Sequence, residues 1–329
     1  MVQTMKKLIK INLVVLLLLA LFACQQQSGV RVIKLAHVLD TSHPVHKAMV
    51  FMADKVAEKS GGKMRVDIYP GGQLGAERDL IELLQIGSLA MTKVSTAPLE
   101  AFVPEMKVFG IPYIFKDDEH HWKVLNGPIG KKLLLSGEPY FLRGMCYYDA
   151  GSRSFYTKDK PIYKPSDLDG LKIRVMKSIT AMSMIHALGG SATPIPWGEL
   201  YTALQQGVVD GAENNAPSFY LSRHYEVCKY YTLDEHTAVP DILLMSTVVW
   251  KSLTPQEQKW LQDAVDESVP YQIKLWKEST EEALKAVQEA GVEIIHPDKQ
   301  PFREAVQPMH ESYRGTPLYD LMNEIKSVQ

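Results

Sequence analysis

Two hydrophobic periods take turns along this sequence. Met64, Val66 and Ile68 alternate with Arg65, Asp67 and Tyr69, the period of two expected of a strand with one face buried. Leu80, Ile81, Leu83 and Leu84 follow at helical spacing and stop at Gly87, and residues 90–94 read as a further short strand. Upstream, residues 32–37 form an apolar-rich strand and residues 44–59 a helix that Gly61-Gly62 ends. This β-α-β-α-β order predicts a mainly parallel sheet covered by helices on both faces. The rhythm restarts near Gly151, with strands at 152–157, 171–176 and 191–195 and a helix at 179–188, so two similar α/β lobes are expected. Residues 242–249 supply one more apolar strand.

Thr254-Pro255-Gln256-Glu257 is a capping box with proline at the first helical position. It launches a helix whose pattern continues to Gly291, with Pro270 expected to kink it by removing a backbone donor. A helix of that length can pass from one lobe to the other and makes each lobe discontinuous in sequence. The expected division is 31–151 with 240–278 in lobe I, and 152–239 with 279–329 in lobe II.

At the amino terminus Lys6, Lys7 and Lys10 precede an uncharged apolar run over residues 13–23. A membrane-spanning helix needs about 20 apolar residues, so this shorter run behind a basic stretch reads as a secretory signal. Leu21-Phe22-Ala23-Cys24 looks like a bacterial lipobox, which makes residues 1–23 a lipoprotein signal, Cys24 the acylated first mature residue, and 24–30 a polar tether. The alternative is an ordinary cleaved signal with a cysteine near its end. The remainder, with 46% apolar and 22% charged residues and a net charge of −2 over the whole chain, has the composition of a soluble globular protein and no basic excess for nucleic acid. Only Cys146 and Cys228 remain besides Cys24, so no disulfide framework is expected, and both read as buried thiols.

Common catalytic signatures are missing: there is no GxSxG, HExxH or GxGxxG. Gly127-Pro128-Ile129-Gly130-Lys131-Lys132 has the wrong spacing for a phosphate loop and lacks the following Ser or Thr. Histidines 37, 43, 46, 120 and 121 complete no recognisable ligand set with cysteine or carboxylate, so no metal, cofactor or catalytic residue is assigned. His120 and His121, in a charged stretch, are expected on an exposed helix surface. Arg174 stands out because it lies inside the apolar run Leu171-Lys172-Ile173-Arg174-Val175-Met176, on the face shared with Lys172 and Met176. Ligands of open α/β sheets sit at the carboxyl ends of strands, where a planar guanidinium can hold a carboxylate bidentately. A structural salt bridge is the other reading of a lone arginine.

The block from Pro194 through Trp197-Gly198-Glu199-Leu200-Tyr201 to Asp210-Gly211-Ala212-Glu213-Asn214 resembles the hallmark segment of the solute receptors of tripartite ATP-independent periplasmic (TRAP) transporters, of the DctP type. Tyr69-Pro70-Gly71-Gly72-Gln73-Leu74-Gly75, Gly151-Ser152-Arg153 and Gly170-Leu171-Lys172-Ile173-Arg174-Val175 extend the resemblance over the mature chain. It implies an α/β, two-lobed periplasmic-binding-protein-like fold, with a long helix crossing both lobes and a ligand cleft between them. Such a receptor, a monomer on the periplasmic side of the membrane, delivers a carboxylate-bearing solute to a small and a large membrane subunit, driven by an ion gradient. By the same resemblance Arg174 pairs with the carboxylate, Arg153 lies beside it, Asn214 contacts the ligand and Trp197 packs on it. Glu77 accepts ligand hydroxyls, next to Lys93 and Ser95, and Ser95 replaces the acid of some sialic-acid receptors. The segments 37–47, 91–95 and 234–237 resemble the hexuronate-binding branch, adding His37, His43 and His236 and making glucuronate and galacturonate the expected ligands. A receptor for a C4-dicarboxylate or aldonate, an exported uronide-processing enzyme and a sensory receptor are the competing readings.

Overall fold

The computed structural model describes residues 29–329. The signal, the acylation at Cys24 and most of the tether lie outside the described residues. Four strands open the chain: β1 (Arg31–Ala36), β2 (Met64–Tyr69), β3 (Met91–Ser95) and β4 (Leu142–Tyr148). β5 (Arg153–Thr157), β6 (Lys172–Val175), β7 (Ser191–Pro194), β8 (Gly211–Asn214) and β9 (Tyr230–Thr237) follow, then β10 (Asp241–Ser246) and β11 (Glu293–Ile295). They form two sheets, ordered β2-β1-β3-β10-β4 and β11-β9-β5-β8-β6-β7.

Both sheets are mixed, which corrects the expectation of a mainly parallel one. β10 runs antiparallel to β3 and β4, and β5 antiparallel to β8 and β9. The cause is the double crossing between sheets. The chain leaves the first sheet at the end of β4 and returns to it at the start of β10, so the strand that follows each crossing enters its sheet from the shared edge and runs away from it. The apolar stretch 242–249 is accordingly only half strand. β10 stops at Ser246 where the sheet ends, and Thr247–Ser252 turns into a helix despite its β-branched residues.

The long helix spans Pro255–Glu289 without interruption at Pro270. Its start is fixed by the reciprocal box, with the Glu257 N–H donating to Thr254 Oγ1 at 3.2 Å and the Thr254 N–H to Glu257 Oε2 at 2.8 Å. Leu261, Ala264 and Val265 share one core with Met49, Met52 and Val56 of the helix Pro44–Ser60. About five turns further on, at 3.6 residues per turn, Ala283 and Val287 enter another core with Leu204, Phe219 and Tyr231. One helix therefore serves both sheets. Cys146 and Cys228 are buried free thiols in these two separate cores, so they cannot meet.

His120 and His121 are not surface residues: they are only 5% and 4% exposed. His120 Nδ1 accepts from the Lys116 N–H at 3.1 Å and its Nε2 lies 3.0 Å from the Ile325 carbonyl. The charged neighbours that suggested exposure, Lys116 to Glu119, lie in and around the turn that caps this helix, while Ile325 of the C-terminal helix Pro317–Ser327 meets His120 and the Phe115 ring lies 4.4 Å from that of His121.

Candidate functional site

The facing edges of the two sheets enclose a narrow cavity of about 50 Å³. Its wall contains eight of the expected contacts: His43, Glu77, Lys93, Ser95, Arg153, Arg174, Trp197 and Asn214. Topology brings them together. Lys93 and Ser95 sit at the cleft end of β3, Arg174 at that of β6, Asn214 at that of β8, and Arg153 opens β5. Glu77 starts the helix Glu77–Gln85, after a turn in which Gly75 has φ of 119° and a Cβ would come within 2.9 Å of Asp79.

Arg174 is 2% exposed and anchored by its Nε–H to the Ile195 carbonyl at 2.8 Å. Its Nη1 is buried with no hydrogen-bond partner. Burial lowers the pKa of its guanidinium, with nearby Tyr156 and Glu213 working the other way. A buried donor pair without an acceptor carries a penalty of about 1–3 kcal/mol, more when charged, which an incoming anion removes. Trp197 flanks it, with the Arg174 Cζ 5.8 Å from the ring.

Arg153 is in the opposite condition. Its guanidinium pairs with the Glu213 carboxylate through Nε and, at 2.9 Å, through Nη2, and donates from Nη1 to Asn214 Oδ1 at 2.8 Å. With Oδ1 so engaged, Asn214 has its amide N–H groups left to offer. Behind Glu213 stand His236, with Nε2 at 3.5 Å, and Asp234, which holds His236 Nδ1 at 2.8 Å. Burial opposes charge on both groups but the partners win: Glu213 is taken down to about 2 by Arg153 and His236, and His236 is raised to about 9 by Asp234 and Glu213. His236 thus lies in the network supporting Arg153 and does not line the cavity.

The other wall is a triad of Lys93, Asp241 and Glu77. Lys93 Nζ lies 2.8 Å from Asp241 Oδ2 and 3.9 Å from Glu77 Oε1, which also accepts the Ser95 N–H at 2.9 Å. Burial raises the Glu77 pKa, opposed by Lys93 and reinforced by Asp241. His37 is fully buried beside this wall but not on it. Its Nδ1 accepts from the Leu39 N–H and its Nε2 meets His46 Nδ1 at 3.0 Å; burial, then Lys93, holds its pKa down to about 3. His43 reaches across the cleft, with Nε2 3.4 Å from Ser218 Oγ.

Asp241, Asn215, Ser218 and Trp276 also line the cavity and were missed. Asp241 had a signal in the sequence, a lone carboxylate opening an apolar strand. Trp276 had none: it is one tryptophan on the long helix, and packs so near the crossing segment that a Cβ at Gly151, φ 56°, would come within 2.9 Å of its Nε1.

Residues 35–316 match the bacterial extracellular solute-binding proteins, family 7, of the DctP type. The chain belongs to that family. It is 41% identical over 304 residues to YiiZ, an uncharacterized protein of Salmonella typhimurium, covering 92% of this chain and 93% of the relative. A TRAP periplasmic solute-binding protein from a Bradyrhizobium species, solved with α/β-D-galacturonate, is 42% identical with a TM-score of 0.87, over 90% of this chain and 99% of that one. Another, from Pseudomonas putida with bound D-glucuronate, is 36% identical with a TM-score of 0.87, over 91% and 97%.

The supporting network of this family member makes a pH prediction. His236, raised from 6.5 to about 9, contributes stability that is complete below pH 6.5 and lost as pH rises through 9. Glu213, lowered from 4.5 to about 2, contributes above pH 4.5 and loses it as pH falls through 2. Thermal midpoints are therefore expected to fall between pH 6.5 and 9, and His236→Asn to flatten that decline; an unchanged slope in the variant rejects the assignment.

Proposed function

We propose that this protein is the receptor of a TRAP transporter for a hexuronate, D-glucuronate or D-galacturonate, and that Arg174 seats the carboxylate. The observation that carries the reading is the charge layout of the cavity. Arg153 is neutralised by Glu213, whereas Arg174 keeps an unpartnered buried Nη1, so the cavity offers one uncommitted cationic seat. The far wall is unsuited to a second carboxylate, because Lys93 is already held by Asp241 and faces Glu77. Two acids there repel another anion and accept hydroxyl protons. A ligand with one carboxylate and several hydroxyls fits, and hexuronates are what the two solved relatives hold.

In this reading the Asn214 amide and the Arg153 edge orient the carboxylate end and Trp197 covers an apolar face of the sugar ring. Glu77, Asp241, Lys93, Ser95 and His43 address its hydroxyls. The lobes, 31–151 with 240–278 and 152–239 with 279–329, close on it. His37 and His236 act from behind the walls. The receptor works as a monomer, held to the membrane by acyl chains on Cys24, and passes its ligand to the small and large membrane subunits.

Calorimetry tests the ligand. Micromolar binding of either hexuronate, about −8 kcal/mol, is expected, with a thermal midpoint that rises with ligand concentration by mass action. Tight binding of succinate or malate with no heat from either hexuronate overturns the assignment. Unchanged hexuronate recovered after long incubation separates a receptor from a processing enzyme.

A further inference from the structure

Half of the twelve large apolar side chains exposed among the described residues gather at one end of the first sheet: Val30, Ile86, Leu135, Tyr140, Phe141 and Val248, from 40% to 72% exposed. They come from separate segments held side by side. Gln85 Nε2 donates to the Tyr140 carbonyl at 3.0 Å, and the Thr247 N–H to the Phe141 carbonyl at 3.0 Å. A Cβ at Gly87 would lie 3.1 Å from Val248. The helix Thr247–Ser252 then leads from Val248 to Arg31, whose Nη2 is 3.5 Å from the Ser252 carbonyl. Lys251 and Lys63 border the patch as basic groups, while Arg31 is paired with Glu257 and Arg143, 4.9 Å over the Trp250 ring, with Glu138. This end is opposite the cleft, since β1 enters here at Arg31 and ends at Ala36 beside the cavity, and β10 starts at the cavity and ends here.

The chain also leaves the described structure at this end. Six residues, Gln25 to Val30, separate Cys24 from Arg31. Fully extended at about 3.5 Å per residue, they span at most about 25 Å. An acylated Cys24 therefore brings this end of the molecule, and no other, up to the lipid surface.

We propose that the apolar end of the first lobe is a membrane-docking surface that rests on the bilayer interface, with Ile86, Phe141 and Val248 inserted among the headgroups. The inference rests on the acylation of Cys24 and extends it: the tether sets the distance, and the patch sets the orientation. Exposed aliphatic and aromatic side chains beside Trp250, Lys251 and Lys63 suit the interfacial zone of an anionic bilayer. Docked this way, the receptor holds its cleft away from the membrane to load, and must leave the lipid to meet the permease.

The test uses the full chain, lipidated in cells and reconstituted into phosphatidylethanolamine–phosphatidylglycerol vesicles. A polarity-sensitive fluorophore is attached at Val248→Cys, and in a second sample at Tyr163→Cys on the other lobe; Cys146 and Cys228 are buried. Nitroxide-labelled lipid is expected to quench the Val248 probe at least twofold and leave the Tyr163 probe unchanged. Ile86→Asp with Phe141→Asp should halve that quenching; Asp tolerates the left-handed backbone of Phe141. An intact mass without acyl chains removes the anchoring reading and this proposal with it. Acylated protein whose Val248 probe is unquenched overturns this proposal alone. A blue shift without nitroxide quenching, or quenching only with the membrane subunits present, assigns the surface to protein contact and likewise overturns it.

Discussion

Arg174→Ala is expected to weaken hexuronate binding by at least 100-fold while leaving the ligand-free protein as stable as before. The asymmetry comes from the state of the guanidinium in the empty site. Only its Nε is committed, to the Ile195 carbonyl, and Nη1 is buried without a partner. The folded protein therefore gains little from this charge until an anion arrives. Charge-assisted hydrogen bonds contribute about 1.5–3 kcal/mol each, and losing two corresponds to roughly 100-fold or more at about 1.4 kcal/mol per decade. Arg174→Lys should recover only part of the loss, because an ammonium cannot reproduce the planar fork. Calorimetry with glucuronate and galacturonate reads the affinity, and thermal unfolding reads the stability. Affinity retained within threefold would remove Arg174 from its assigned role, and a collapsed midpoint would make it a structural residue.

That arginine was legible because a charge inside an apolar strand leaves few bland explanations. The capping box at Thr254 was legible for a related reason: its residue types and spacing are dictated by two orphan backbone donors and by nothing further away. Residues whose meaning depends on a partner distant in sequence were not. Glu213 stands next to Asn214, yet its work is done with Arg153, 60 positions earlier, and with His236 on β9. The direction of β5 and β10 was hidden similarly, since a strand's own pattern states which face is buried and not which way its neighbour runs. His120 and His121 were misjudged because their immediate neighbours are charged, while the helix that His120 meets lies two hundred residues downstream. Local chemistry reads well from sequence; pairing across the fold does not.

Glu213→Gln should be the most damaging single change in the supporting network, even though it keeps the side chain's shape. Arg153 is 5% exposed and Glu213 2%, and among the described residues the carboxylate is the one acid paired directly with that guanidinium. Neutralising it leaves a buried cation uncompensated and takes one of two acids from His236, whose other partner is Asp234. Breaking one side of such a pair costs about 3–5 kcal/mol, which for a chain of this size lowers the unfolding midpoint by roughly 6–20 °C. Replacing both members with apolar residues removes the cost without restoring the pair. Arg153→Met with Glu213→Leu should therefore recover most of the midpoint lost in Glu213→Gln. It should not recover hexuronate binding, because Asn214 Oδ1 loses the charged one of its two donors, Arg153, and keeps only the Asn215 N–H. Thermal unfolding of the three proteins separates the possibilities. If Glu213→Gln unfolds within 2 °C of the parent, on the scale of about 2–4 °C per kcal/mol, the pair is not what holds the arginine in place, and the cavity's charge layout needs another source.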